Sequence, residues 1–347
     1  MPSGGLPCWK PFQPANFHIG ENQWKEAYDM SNKKEANVNR SDWMVHDPDA
    51  CNLYPMVEYL TNEMPGVLRE FASRETIRSG YDNLDALTDI HPSLYVLGGV
   101  SSIGKTTFLH QMADQMASKE HPVLYFAYEQ TVLDMAVKSL SRTMAMEDQE
   151  QAMPSIRMKT NPDDPRIAMA AGEYWAAEHL YVVECNAKAT INKVEQLVTS
   201  FIEVRGVRPI VVIDYLQAIP PLDKNRRSVK DHIYLNMRRL KQLQNANGLV
   251  LMVIAALSEQ SLYEELDFES FKEVGNMSNV ADVLWGLQLQ ALKEEKGTGK
   301  DRRKRIREAM KEIPRKVELV CLKNALGQTY SCDYTYYPQY DLFRTAK

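Results

Sequence analysis

The segment Leu94-Tyr-Val-Leu-Gly-Gly99-Val-Ser-Ser-Ile-Gly104-Lys105-Thr106-Thr107 decides the fold. Its first four residues have the apolar, β-branched and aromatic character of a buried strand. Residues 105–118 then place Phe108, Leu109, Met112 and Met116 on one helical stripe. Between the two, Gly99 to Thr106 fits G-x-x-x-x-G-K-[ST], the phosphate-binding loop, in the strand-then-helix context that pattern requires. The chemistry needs these residue types. Gly99 and Gly104 let the backbone wrap closely around an anion. Ser101, Ser102, Ile103, Gly104 and Thr107 bring N–H groups and the helix N-terminus to it, and Lys105 reaches the β- and γ-phosphates. The Thr106 hydroxyl is the expected Mg²⁺ ligand, so ATP with Mg²⁺ is the expected occupant.

Working outward, short apolar runs alternate with helical patterns. The runs are Leu94–Leu97, Val123–Tyr128, Leu180–Val183, Ile210–Ile213 and Leu249–Ala256, and they are apolar at both odd and even positions. That is the signature of parallel strands covered by helices on both faces, and it predicts an α/β fold with a mostly parallel central sheet. Helices are predicted over Lys105–Ser118, from a cap at Thr190 to about Val204, and over Val229–Ala246 with Ile233, Met237, Leu240 and Leu243 on one stripe. Val317–Leu322 and Gln328–Tyr337, separated by a turn around Gly327, read as a strand pair closing the sheet's edge. Tyr330, Tyr334, Tyr336 and Tyr337 offer stacking surface for bases, but alternating aromatics in a terminal strand more often pack a sheet. Residues 1–75 lack a sustained period; they are expected to form an irregular N-terminal arm or small helical subdomain, with one short helix near Met56–Ser73 interrupted by Pro65. Residues 76–347 form the main domain.

Two acids follow apolar runs. In Pro209-Ile-Val-Val-Ile-Asp214-Tyr-Leu-Gln217 the carboxylate of Asp214 stands where a nucleotide-binding sheet holds Mg²⁺. Glu129 ends Val123-Leu-Tyr-Phe-Ala-Tyr-Glu129, at the edge of the sheet that faces the ligand crevice. There it can orient and deprotonate an attacking water. Lys105 and Glu129 are thus the candidate catalytic pair, with Thr106 and Asp214 on the metal.

Composition narrows the class. Apolar residues are 44% and charged residues 25% of 347, ordinary globular usage that excludes a disordered or fibrous chain. No run approaches the roughly 18 apolar residues that span a bilayer, and residues 1–13 lack a basic start followed by an apolar run. No membrane partner and a cytoplasmic location are expected. The five cysteines are scattered, which argues against a disulfide framework or a zinc knuckle. The net charge of −5 conceals an asymmetry: residues 296–316 hold ten Lys/Arg against three Asp/Glu, a local +7 that leaves −12 elsewhere.

The motifs together resemble a known family. Gly-Val-Ser-Ser-Ile-Gly-Lys-Thr-Thr-Phe, Val-Leu-Tyr-Phe-Ala-Tyr-Glu-Gln, Val-Val-Ile-Asp-Tyr-Leu-Gln and Val-Ile-Ala-Ala-Leu-Ser occur in the order and spacing of DnaB-like replicative DNA helicases. The likeness is to their C-terminal RecA-like motor domain and runs from about Thr76 to Phe343. It implies a P-loop ATPase and DNA helicase in a homohexameric ring, threading single-stranded DNA and hydrolysing ATP at subunit interfaces, with a primase or a loader as further partner. It also implies a channel loop after the Asp-Tyr-Leu-Gln strand, where Lys224, Arg226, Arg227 and Lys230 would neutralise DNA phosphates. The basic run 296–316 looks like a family-variable insertion.

Departures from the family pattern are as informative. The helical collar domain that engages primase is not recognisable in residues 1–75. Where the family has Ser-Gln after the fourth strand, this chain has Ser258-Glu259-Gln260, and a carboxylate facing a phosphate is unfavourable. Where the family has Lys-x-Arg-x-Gly, this chain has Lys323-Asn324-Ala325-Leu326-Gly327. The arginine finger is missing, Lys323 is the remaining interface cation, and Arg315 and Arg344 are the next candidates. Two other readings stay open: a RecA-fold DNA-binding ATPase without unwinding activity, and a weakly hydrolysing ATP-dependent assembly switch.

Overall fold

Apolar runs that cannot face water on either side become strands covered on both faces. The computed structural model describes residues 46–47, 51–52, 56–73, 76–222, 228–272, 275, 277–294 and 299–346. The strands are β1 (Leu94–Gly99), β2 (Val123–Ala127), β3 (Leu180–Glu184), β4 (Ile210–Asp214), β5 (Leu251–Ala256), β6 (Val283–Leu289), β7 (Arg315–Asn324), β8 (Ser331–Tyr337) and β9 (Leu342–Thr345). They make one sheet in the order β9-β8-β7-β6-β1-β5-β4-β2-β3. The six strands from β6 to β3 are parallel, and β7, β8 and β9 add to them antiparallel.

Successive strand residues enter opposite cores. Tyr95, Leu97, Val123, Tyr125, Val212, Met252 and Ile254 pack against Phe108, Leu109, Met112 and Met116 of α1 (Lys105–Ala117). On the other face Leu94, Val96, Leu124, Phe126, Val211, Ile213 and Val253 meet two further helices. These are α3 (Ile191–Arg205) and α4 (Val229–Asn247). The result is three layers, helix on sheet on helix. Registers align the C-terminal ends: Gly99 pairs with Ala256 and Ala127 with Asp214. Loops leaving β1, β2, β4 and β5 therefore converge on one edge of the sheet.

Several expectations are refined. A helix not foreseen, α2 (Val132–Glu147), begins with a capping box in which the Thr131 and Asp134 side chains each bond the other's backbone N–H. Thr190 does precede α3, but its side chain makes no capping hydrogen bond. The strand pair near the C-terminus does not close the edge, because β9 lies outside it. The basic run contains a helix, α5 (Lys300–Ala309), fixed by a fully buried Ile306. In the separate unit Met1–Glu75, residues 56–73 are helical, with a π-helical turn over Tyr59–Glu63 just before Pro65, whose missing N–H breaks the regular ladder.

One ionic cluster joins the two helices nearest the loop. Arg142 of α2 is 2% exposed and donates to Asp114 of α1 at 2.5 Å and to the Asp341 carbonyl at 2.6 Å. Ser139 and Tyr174 also donate to Asp114. Burial pushes the carboxyl up, but Arg142, His110 and these hydrogen bonds outweigh it and hold its pKa below the usual value. Burial likewise pushes the pKa of His110 down to about 3, so the ring is neutral and accepts or donates only to Ser139 at 3.0 Å. Removing one member of a buried pair strands the other's charge. Arg142→Ala is expected to cost about 3–5 kcal/mol of unfolding free energy. Urea titration followed by circular dichroism measures this, and a loss below about 1 kcal/mol, the worth of a surface pair, would contradict it.

Candidate active site

The loop begins where β1 ends. Gly104 has φ +113° and precedes the first residue of α1, and a Cβ there would stand 2.7 Å from the Phe343 ring. Only glycine fits both the dihedral and the space. Ser102 is also left-handed, at φ +60°. The Lys105 ammonium donates to the Val100 carbonyl at 2.8 Å. Burial lowers its pKa to about 8, against the opposing pull of Asp214 and Glu129.

Asp214 is brought to the loop by the end of β4. The Thr106 hydroxyl donates to one carboxylate oxygen at 3.1 Å and the Tyr125 phenol to the other at 2.9 Å. Burial raises the Asp214 pKa, the two hydrogen bonds lower it, and Glu129 raises it again. A hydroxyl and a carboxylate held together at a phosphate loop are hard oxygen donors of the kind Mg²⁺ takes in company with substrate phosphates. The residues fit that ion. Glu129 is exposed beyond β2, and its carboxylate accepts a hydrogen bond from Tyr215, the residue after Asp214. Three of the four principal candidates, Lys105, Glu129 and Asp214, thus sense one another's charge, and Thr106 touches Asp214.

Sequence reading missed what braces this edge. The Gln217 amide forks onto Ala256, donating to its carbonyl at 2.8 Å and accepting its N–H at 3.3 Å. This ties the Asp-Tyr-Leu-Gln turn to the end of β5 and so fixes the start of Ser258-Glu259-Gln260, whose last two side chains are exposed. Gln111 of α1 makes the same two-way clamp on Phe343 of β9. Tyr336 stacks on Phe343 at 4.3 Å and reaches the Thr107 hydroxyl at 3.4 Å. Tyr334 is fully buried and Tyr336 nearly so, so these two pack the sheet and offer no stacking surface for bases.

The remaining candidates lie elsewhere. Lys323 and Ala325 end β7 at the opposite edge of the sheet from their own phosphate loop, since Lys323 pairs with Leu284 at the start of β6. The Lys323 ammonium donates to the carbonyls of Ser278 and Ala281 at 2.8 and 2.6 Å. Arg315, a candidate for reaching a neighbouring copy, instead donates to Ser102 of its own loop at 2.7 Å. Arg344 likewise bonds its own chain, at the Ala145 carbonyl. Lys230 is exposed in the first turn of α4, while Lys224, Arg226 and Arg227 fall outside the described residues. From α5, Arg302 donates to the Tyr263 carbonyl and Arg303 and Arg307 lie over the Tyr263 ring at 5.1 and 5.5 Å. The helix therefore docks on the loop that follows β5.

A glycine-bounded phosphate loop on the C-terminal edge of a mostly parallel, helix-covered sheet defines a RecA-like P-loop protein. Within that class the chain belongs to the DnaB-like helicases: the model of their C-terminal domain matches residues 76–345. Among solved structures it is similar to the isolated ATPase domain of a DnaB-like helicase, at 18% identity and a TM-score of 0.66, over 82% of this chain and 97% of that one. It is also similar to a DnaB-like replicative helicase described with its interactions with primase, at 19% identity and a TM-score of 0.65, over 82% of this chain and 66% of that one. At those identities the likeness is one of fold, and this chain spans just under two thirds of the second protein's length. No curated protein matches the chain. Among the described residues, no helix is long and apolar enough to cross a membrane.

The Lys105 environment makes nucleotide binding pH-dependent. Between about 8 and 10.5 the folded chain holds less of this proton than the unfolded chain, so this group's contribution to stability rises with pH across that window. A bound phosphate favours the charged ammonium and draws the proton back. Titrating Mg²⁺·ADP calorimetrically in buffers of different ionisation enthalpy should reveal uptake of about one proton per nucleotide near pH 9 and almost none near pH 7. Equal buffer dependence at both pH values would remove Lys105 from the phosphate.

Proposed function

We propose that this chain is an ATP- and Mg²⁺-dependent replicative helicase motor that acts on single-stranded DNA as a homohexameric ring and hydrolyses ATP where copies meet. The observation that carries the reading is the 3.1 Å contact between Thr106 and Asp214, with Lys105 and Glu129 close enough to feel the same charge. Membership of the DnaB-like family supports it.

In this reading the loop N–H groups of residues 101–107 and the Lys105 ammonium bind the phosphates, an arriving phosphate competing with the Val100 carbonyl for that ammonium. Thr106 and Asp214 hold Mg²⁺, which when bound neutralises charge on the β- and γ-oxygens. Glu129 takes the proton of the attacking water on its carboxylate, and Tyr215 orients that carboxylate. DNA phosphates meet Lys230 and the neighbouring Lys224, Arg226 and Arg227. Lys323 serves as interface cation, since its edge of the sheet cannot serve its own site. A primase or loader would engage the assembled ring.

One observation favours the weakly hydrolysing switch instead: position 325 carries no guanidinium, and Glu259 presents an exposed carboxylate after β5. Fingers of this kind are worth about 10³–10⁵ in rate in other P-loop enzymes, and a lysine lacks the planar fork. Ala325 is exposed, so Ala325→Arg should fold and should raise hydrolysis at least about tenfold, in the oligomer alone. A brisk wild-type rate with no response to this change would assign the role to another cation.

Glu129→Gln keeps the shape of the side chain and removes the base. ATP binding should persist while turnover falls by about 10²–10⁴. An unchanged rate would pass the proton to a different carboxylate. Strand displacement on a forked duplex separates the helicase from the non-unwinding ATPase, for which hydrolysis is DNA-stimulated and the fork stays closed.

A further inference from the structure

The phosphate loop has a support that none of its assigned residues accounts for. Arg315, the first residue of β7, is 8% exposed and sends Nη1 to the Ser102 carbonyl at 2.7 Å. Its guanidinium lies over the Tyr336 ring at 5.6 Å, and Tyr336 in turn packs on Phe343, the ring that covers Gly104. Its Nε is buried with no partner. A cation held in so dry a place, with one donor unsatisfied, is expensive to keep and calls for a function.

The contacted residue suggests the function. Ser102 adopts φ +60° without being glycine, a left-handed conformation that an L residue holds only when its surroundings impose it. Among the described residues, cis peptides occur only at Asp214–Tyr215 and Ile313–Pro314, so the peptide between Ser102 and Ile103 is trans. In a trans peptide the carbonyl and the following N–H point in opposite directions. Fixing the Ser102 carbonyl against Arg315 therefore fixes the Ile103 N–H away from it. A flip of this one peptide would turn a carbonyl oxygen toward a phosphate in place of a donor.

We propose that Arg315 is a positioning residue for nucleotide binding, clamping the 102–103 peptide so that the Ile103 N–H faces the phosphates. It acts in cis on its own loop, not across an interface. The inference rests on the phosphate loop being the nucleotide site. It also gives the basic segment a mechanical link to that site, because α5 ends six residues before Arg315.

The test is calorimetric binding of Mg²⁺·ADP, with ATP turnover measured alongside. Arg315→Met keeps the apolar stem and loses the donor; affinity should fall about tenfold or more, the worth of one charge-assisted hydrogen bond, while kcat at saturating ATP stays within about twofold. Arg315→Lys can still reach a carbonyl and should bind within about threefold of wild type. Wild-type affinity in the Met variant, or a Lys variant about tenfold weaker, overturns the clamp. The Lys variant decides alone if the Met variant does not fold. A loss confined to kcat would place the guanidinium on the transferred phosphoryl group and equally overturn it. Lys105→Ala is run in parallel: normal ADP affinity there defeats the nucleotide-site reading itself, whereas lost affinity there with an indifferent Arg315 defeats only the clamp.

Discussion

The structure turns on a buried carboxylate that two hydroxyls hold in place. Asp214 ends an entirely apolar strand, and Thr106 and Tyr125 reach it from the first turn of α1 and from β2. Those two bonds join three otherwise separate elements at the C-terminal edge of the sheet. They also leave a negative charge in a place where burial disfavours it, as its raised pKa records. Such a group is unfavourable for folding and favourable for a cation, the usual relation between a site's chemistry and its stability. Lys105 faces the converse condition, an ammonium whose burial weakens its hold on its proton. The opposed pair is poised for a ligand that carries both a divalent cation and phosphate oxygens.

The antiparallel strands that follow β6 do more than extend the sheet. They supply Arg315 to the Ser102 carbonyl, Tyr336 and Phe343 to the back of Gly104, and the Phe343 backbone to Gln111 of α1. The loop is thus gripped from the side opposite the carboxylates. Below it the Arg142–Asp114 pair joins α1 to α2, the helix entered directly after Glu129. Movement of either catalytic element would have to break buried polar contacts, and such contacts are costly to leave unmade.

Much of this was legible because a few constraints are local. Glycine spacing, Lys105, and an acid at the end of an apolar strand announce themselves within ten residues, and two-sided burial gives parallel strands their unbroken runs. The strand β6 escaped because Gly286 and Gln288 interrupt its run, and both are explained only by tertiary contacts. Leu266 fills the space a Cβ at Gly286 would need, while the Gln288 amide accepts from the Leu266 N–H and donates to Glu318. Arg315 escaped for the same reason: it lies 213 residues from the carbonyl it holds, and nothing in its neighbourhood distinguishes it from the other cations of the basic run. That run looked like a solvated insertion, yet the single apolar Ile306 and the arginines gathered on Tyr263 give it a helix with a fixed seat.

The most direct test is phosphate release from ATP by the purified chain, with and without oligothymidine, at a concentration where light scattering has fixed the oligomeric state. The account predicts Mg²⁺-dependent hydrolysis that is slow alone, rises with single-stranded DNA, and disappears when the oligomer is diluted to monomer. Hydrolysis that persists undiminished in the monomer and ignores DNA would contradict it.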